Sequence, residues 1–74
     1  MEDVLIHRDP EIMMGKPTVK GTRITVEHVL RQASFGATRE EIMRDYGLTA
    51  DQYAAVFHYA AGKLADAYRL QEAV

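Results

Sequence analysis

A mainly α fold, three helices behind a short N-terminal β-hairpin, follows from three observations on this sequence. Two short β-prone segments flank Lys20-Gly21. Apolar residues at helical spacing begin at Val26 and recur almost to the C-terminus. Three threonines, Thr25, Thr38 and Thr49, stand where an N-cap would start each helix.

Taken in order, Val4-Leu5-Ile6 is an apolar run ended by Asp9-Pro10, and because proline disfavours helix in the residue before it, the run reads as a short strand. Pro17-Thr18-Val19 and Thr22-Arg23-Ile24-Thr25 then form the two arms of a predicted hairpin. Gly21 between them supplies the positive φ that a tight reversal needs. Val26, Val29, Leu30 and Ala33 fall at i, i+3, i+4 and i+7 of a first helix, capped by Thr25 and closed by Gly36. Thr38-Arg39-Glu40-Glu41 fits the capping box, in which the first and fourth side chains satisfy each other's orphan amides. A second helix follows, expected to bury Ile42 and Tyr46 and to stop at Gly47. Thr49-Ala50-Asp51-Gln52 repeats the box. Tyr53, Val56, Phe57, Ala60, Leu64, Ala67 and Tyr68 then sustain an apolar stripe for a third helix reaching about Leu70. The last two helices, joined through Tyr46-Gly47-Leu48-Thr49, have the order of a helix-turn-helix of homeodomain-like type, a motif that can set its second helix in a major groove. Residues 1–74 therefore read as one domain: a strand and hairpin region over 1–25, and three helices over 26–70 with the helix-turn-helix at about 38–60.

Composition narrows the class. With 74 residues, 47% hydrophobic and 27% charged, the chain has room for one core. A domain of this size buries only about 60% of the surface its unfolded chain exposes. It has no cysteine, hence no disulfide and no thiolate zinc site to compensate. Another protein surface is the remaining source of buried area, so a homodimer or a heteromeric partner is expected. No cationic leader with a long apolar stretch opens the chain and no apolar run approaches the roughly 18 residues of a membrane span, which predicts a cytoplasmic location. The formal net charge of -2 conceals an uneven distribution. Met1 to Gly15 carries one cation against four carboxylates, Lys16 to Arg39 five cations against Glu27 alone, and Glu40 to Val74 three against six. The middle third is basic.

Gly15-Lys16-Pro17 through Lys20-Gly21-Thr22-Arg23-Ile24, then Val26, a glycine before Thr38-Arg39-Glu40-Glu41-Ile42, Tyr46, Leu48-Thr49 and Ala60-Ala61 form a pattern over about Ile6 to Ala61. This pattern resembles the prokaryotic family catalogued as domain of unknown function 433. The resemblance implies a small helix-turn-helix protein with an N-terminal hairpin. It also implies an antitoxin, encoded beside a PIN-type nuclease toxin and able to bind both that toxin and operator DNA. Three positions depart from the family pattern: Met14 stands where a second glycine is usual, Thr25 where proline is common, and Gly47 where proline often follows the aromatic residue.

The candidate binding residues are Lys16, Lys20, Arg23, Arg31 and Arg39, cations of the type that contact DNA phosphates or a partner's acidic groups, together with Gln52, which can pair with adenine. A purely structural account has Arg23 paired with Asp9 or Glu11 and the other cations solvated. If the partner is a carboxylate-lined nuclease site, Arg23 or Arg31 is the candidate to plug it. The early outward positions of the third helix read as Ala50, Asp51, Gln52, Ala54, Ala55, His58 and Tyr59, with no cation before Lys63, a poor set for groove insertion. DNA contact is therefore expected from the hairpin cations of a dimer, with the third helix contributing little or forming the dimer contact.

Gly15-Lys16 does not make a phosphate-binding loop. That motif needs glycine where Pro10 stands and Ser or Thr where Pro17 stands. His7, His28 and His58 lack metal-binding spacing, His58 reads as a helix-surface residue, and Ser34, the only serine, has no base beside it. Met13 and Met14 read as gap-fillers or interface residues. The sequence thus predicts a non-enzymatic protein without cofactor or metal: an antitoxin-like DNA-binding regulator or, as the alternative, a dimeric adaptor without DNA affinity.

Overall fold

Asp9-Pro10 and Gly15 interrupt any regular structure early, and the first strand is correspondingly brief. In the computed structural model, which describes residues 4–71 and the side chains as far as Ala67, β1 (Ile6–His7) pairs antiparallel with β2 (Thr18–Val19), Ile6 opposite Val19. Lys20 N–H extends the ladder by donating to the Leu5 carbonyl at 2.8 Å. The intervening chain turns through Met13–Gly15, where three successive residues have left-handed φ of 49°, 58° and 81°. Arg8 Nε donates to the Gly15 carbonyl at 3.1 Å and ties this turn to the end of β1.

The strand pairing corrects one expectation. Residues 22–25 do fold back on 17–19, with Gly21 at φ 82° and Val19 N–H donating to the Ile24 carbonyl at 2.9 Å, but they make only a single bridge, Thr18 to Thr25. Two local demands stop them from becoming a strand. The Thr22 hydroxyl donates to the Val19 carbonyl and accepts from Ile24 N–H, curling the chain, and Thr25 is already the N-cap of the next helix. The sheet partner is β1, Ile6–His7, instead.

Helix α1 (Val26–Ser34) starts where the Thr25 hydroxyl accepts from His28 N–H at 3.0 Å, and it buries Val26 and Val29. Helix α2 (Arg39–Tyr46) opens with the complete capping box. Thr38 N–H donates to Glu41 Oε1 at 2.8 Å and Glu41 N–H to the Thr38 hydroxyl at 3.1 Å. Gly47, at φ 65°, ends it in the left-handed conformation. Helix α3 (Ala50–Gln71) begins with the second box, Thr49 N–H to Gln52 Oε1 at 2.8 Å and Gln52 N–H to the Thr49 hydroxyl at 3.1 Å.

The core lies where α1, α2, the first half of α3 and the small sheet meet: Ile6, Val19, Val26, Val29, Ile42, Leu48, Ala55 and Val56 are buried, and Thr18 and Thr25 are buried with them. Both threonine hydroxyls are hydrogen-bonded, so their burial costs little. The α3 stripe differs from the predicted one. Val56 is buried and Tyr53, Phe57 and Ala60 pack at the core edge, but Leu64 and Ala67 are exposed, while Ala55 and Tyr59, read as outward, face the core. Tyr68 as a core residue lies outside the described side chains. Every residue from Ala61 to Ala67 is exposed, so α3 outruns the body it packs against.

Candidate functional site

The fold sorts the six candidate residues into three places. Lys16, just before β2, and Arg31, in the last turn of α1, converge on one carboxylate: Lys16 Nζ lies 3.3 Å from Glu27 Oε1 and Arg31 Nη2 lies 2.7 Å from Glu27 Oε2. Glu27 and Arg31 are one helical turn apart, the spacing at which opposite charges meet on an α-helix. All three side chains are about half exposed, so the cluster contributes little to stability. Its effect is on the surface field, because the only carboxylate of the basic third is spent on two of its five cations.

Lys20 and Arg23 occupy the turn between β2 and α1. Both are exposed, and among the described residues neither forms an ion pair; Arg23 does not reach Asp9 or Glu11 as the structural account of it required. Asp9 instead accepts from Glu11 N–H at 2.9 Å, an Asx turn that fixes the Asp9-Pro10-Glu11 bend. The turn that carries the two cations is held by four hydrogen bonds: Thr22 N–H and hydroxyl to the Val19 carbonyl, Ile24 N–H to the Thr22 hydroxyl, and Val19 N–H to the Ile24 carbonyl. A guanidinium and an ammonium are thus presented from a braced loop.

Arg39 and Gln52 stand at the helix-turn-helix. Gln52 is not free to read a base, since its Oε1 caps α3. Arg39, the first residue of α2, is exposed without an ion-pair partner among the described residues and borders two shallow clefts. One, of about 540 Å³, is lined by Arg39, Ala50, Tyr53, Ala54, Phe57 and His58. The other, of about 480 Å³, is lined by Arg39, Glu40, Met43, Arg44 and Leu48. Tyr53 and Phe57 form a tilted aromatic pair, centroids 4.9 Å apart, in the wall of the first. This face is apolar and aromatic with a cationic rim. Sequence reasoning found Arg39 but not the cleft, because Tyr53 and Phe57 were both assigned to the core.

The methionines are not gap-fillers. Met14 is 88% exposed and Met13 is exposed beside it, on the left-handed turn. Among the described residues no three His, Asp or Glu side chains gather as a metal would require, and no helix is long and apolar enough to cross a membrane. The Glu41 carboxyl is held below its ordinary range chiefly by the Thr38 N–H and then by the Thr38 hydroxyl.

Comparison with known proteins agrees with this architecture. The chain is similar to a DUF433 member protein from Anabaena variabilis ATCC 29413, known from a crystal structure at 2.00 Å resolution. Identity is 29% and the TM-score 0.78, over 88% of this chain and 65% of that one. The present chain thus spans just under two thirds of its neighbour's length. No curated protein matches it. The model of the family described as "Protein of unknown function (DUF433)" matches residues 6–60, which is the sheet, the three helix starts and the whole buried core, and so the chain belongs to the DUF433 family.

Proposed function

We propose that this protein is a cytoplasmic, non-enzymatic regulator of the antitoxin kind, which neutralises a PIN-type nuclease by docking on it and grips its own operator through backbone phosphates. The observation that carries the reading is the braced turn with Lys20 and Arg23. Both cations are exposed, neither has a carboxylate partner among the described residues, and the loop beneath them is fixed by its own hydrogen bonds. A pre-organised guanidinium of this kind suits a carboxylate-lined site, where a fork of N–H donors can be accepted bidentately. The same geometry suits phosphate oxygens. Between the two plugging candidates the turn favours Arg23, because Arg31 already has a carboxylate in Glu27.

Base reading by α3 has no support in this arrangement. Gln52 is engaged in the cap, and the flank of α3 beside Arg39 offers Tyr53, Ala54 and Phe57 rather than donors. Operator binding therefore rests on charge and has a steep salt dependence, because each phosphate contact releases counterions. The test is titration of the protein onto a duplex carrying its upstream promoter at two salt concentrations, alongside inhibition of the nuclease encoded next to it. Binding that weakens as salt rises, with nuclease inhibition lost in Arg23→Ala, supports the reading. A protein that inhibits no nuclease and ignores the duplex at low salt refutes it and leaves the adaptor without DNA affinity.

A further inference from the structure

The turn that carries Lys20 and Arg23 is built around one oxygen atom. The Thr22 hydroxyl donates to the Val19 carbonyl at 2.8 Å and accepts from Ile24 N–H at 3.0 Å. The first bond closes a ring over Lys20 and Gly21. The second closes a ring over Arg23 alone, the side-chain-closed turn that Ser and Thr make with the amide two residues on. The base of this clasp is fixed. Val19 is buried and its N–H donates to the Ile24 carbonyl at 2.9 Å, while Lys20 N–H is held by the Leu5 carbonyl at 2.8 Å. Between base and tip stands Gly21, at φ 82° with nothing within 4 Å of its Cβ position, and glycine has more backbone freedom to lose than any other residue. Thr22 is half-buried, whereas the two cations it stands between are exposed.

We infer that the Thr22 hydroxyl is the positioning group of this surface, fixing the backbone from which Lys20 and Arg23 leave so that both are aimed before an anion arrives, a role that rests on the reading of the turn as the regulator's phosphate-gripping element. The backbone bonds of the turn, Thr22 N–H to the Val19 carbonyl at 3.0 Å and Val19 N–H to the Ile24 carbonyl, close the loop as a whole. The bond that brackets Arg23 by itself comes from the hydroxyl. Being neutral, the hydroxyl does not alter how many counterions are released when the turn meets phosphates. It alters how much freedom the cations lose on binding, and ordering one long side chain costs enough to weaken binding about 3- to 10-fold. A positioning group and a phosphate contact therefore leave different marks: one lowers affinity at constant salt slope, the other lowers the slope as well.

The test is titration onto the promoter duplex over a salt series with Thr22→Val, which replaces the hydroxyl by a methyl group of similar shape. Affinity should fall about 3- to 10-fold at each salt concentration with the slope unchanged, and Thr22→Ser, which keeps the hydroxyl, should restore it. In a chain that already carries Lys20→Ala and Arg23→Ala, Thr22→Val should have no effect, because no cation is left on the turn to aim. If wild type binds the duplex, the regulator reading stands, but wild-type affinity in Thr22→Val, a loss that Thr22→Ser does not recover, or an equal loss in the chain without the two cations overturns the inference. A wild type that ignores the duplex counts against the reading instead, and trypsin, which cleaves after lysine and arginine, then decides the positioning role. Thr22→Val should speed cleavage after Lys20 and Arg23 several-fold and leave cleavage after Arg31 and Arg44, inside α1 and α2, at the wild-type rate. Unchanged rates, or an equal rise at all of these sites, overturn the inference. Should Thr22→Val not fold, Thr22→Ala is read the same way.

Discussion

Met14 and Gly47 share one backbone geometry, φ 58° and ψ 33° against φ 65° and ψ 34°, but only one of them is suited to it. A side chain in the left-handed region brings its Cβ too close to the following carbonyl, at roughly 1–2 kcal/mol per residue. The glycine that the family resemblance implies at position 14 would fit this geometry, and this chain carries methionine there at a cost. Met14→Gly should raise stability by about 1 kcal/mol, read as a higher urea midpoint at unchanged m. Gly47→Ala should lower it by a similar amount. The added Cβ would meet nothing within 4 Å, so that loss is purely conformational. The other two departures have local reasons as well. Thr25 supplies a hydroxyl cap that proline lacks, and at Gly47 proline could not take the positive φ that ends α2.

At the scale of elements, what the sequence disclosed was what is encoded locally. Both capping boxes form because their partners are three residues apart, and Gly36 and Gly47 both take positive φ where the first two helices end. The sheet was less legible. Its partners, Ile6 and Val19, are thirteen positions apart, and nothing local told β2 to prefer them over the nearer residues 22–25. The face of α3 was misread for a related reason. Val56 and Phe57 each begin a run at helical spacing, one on each flank, and only packing against α1 and α2 decides that Val56 and Ala55 go inward. The caps can be tested in isolation. Thr38→Ala should cost about 1 kcal/mol in the unfolding free energy. Glu41 adds a pH dependence: its carboxyl titrates lower folded than unfolded, so its contribution is complete above the ordinary glutamate range and is lost as pH falls through the lowered value. Stability measured from pH 7 to pH 3 should fall less steeply in Glu41→Gln than in wild type.

For the whole molecule, the small core and the exposed cations of the braced turn belong together. Among the described residues eight buried apolar side chains support the three helices, so a single deletion weighs heavily. Ile42, 1% exposed, should cost about 3 kcal/mol on truncation to alanine, a large fraction of the roughly 4–11 kcal/mol a chain of this length commands. Such a core positions a binding surface without needing to be one. The six candidate residues are separated by what they already hold: Gln52 a cap, Lys16 and Arg31 a shared carboxylate, and Lys20, Arg23 and Arg39 no ion pair among the described residues. The sequence marked a basic third but not this division, which depends on Glu27 lying within reach of both Lys16, eleven positions before it, and Arg31, one turn after it. The division makes two double substitutions of equal formal charge distinguishable. Lys20→Ala with Arg23→Ala removes two free cations per copy, and the slope of log affinity against log salt on promoter duplex should shrink by about 2 per copy. Lys16→Ala with Arg31→Ala removes two cations that share Glu27 and should change the slope by less than half as much. If phosphate contact followed total charge rather than the free cations of the braced turn, the two variants would lose equal slope, and the turn would forfeit its place in the proposed function.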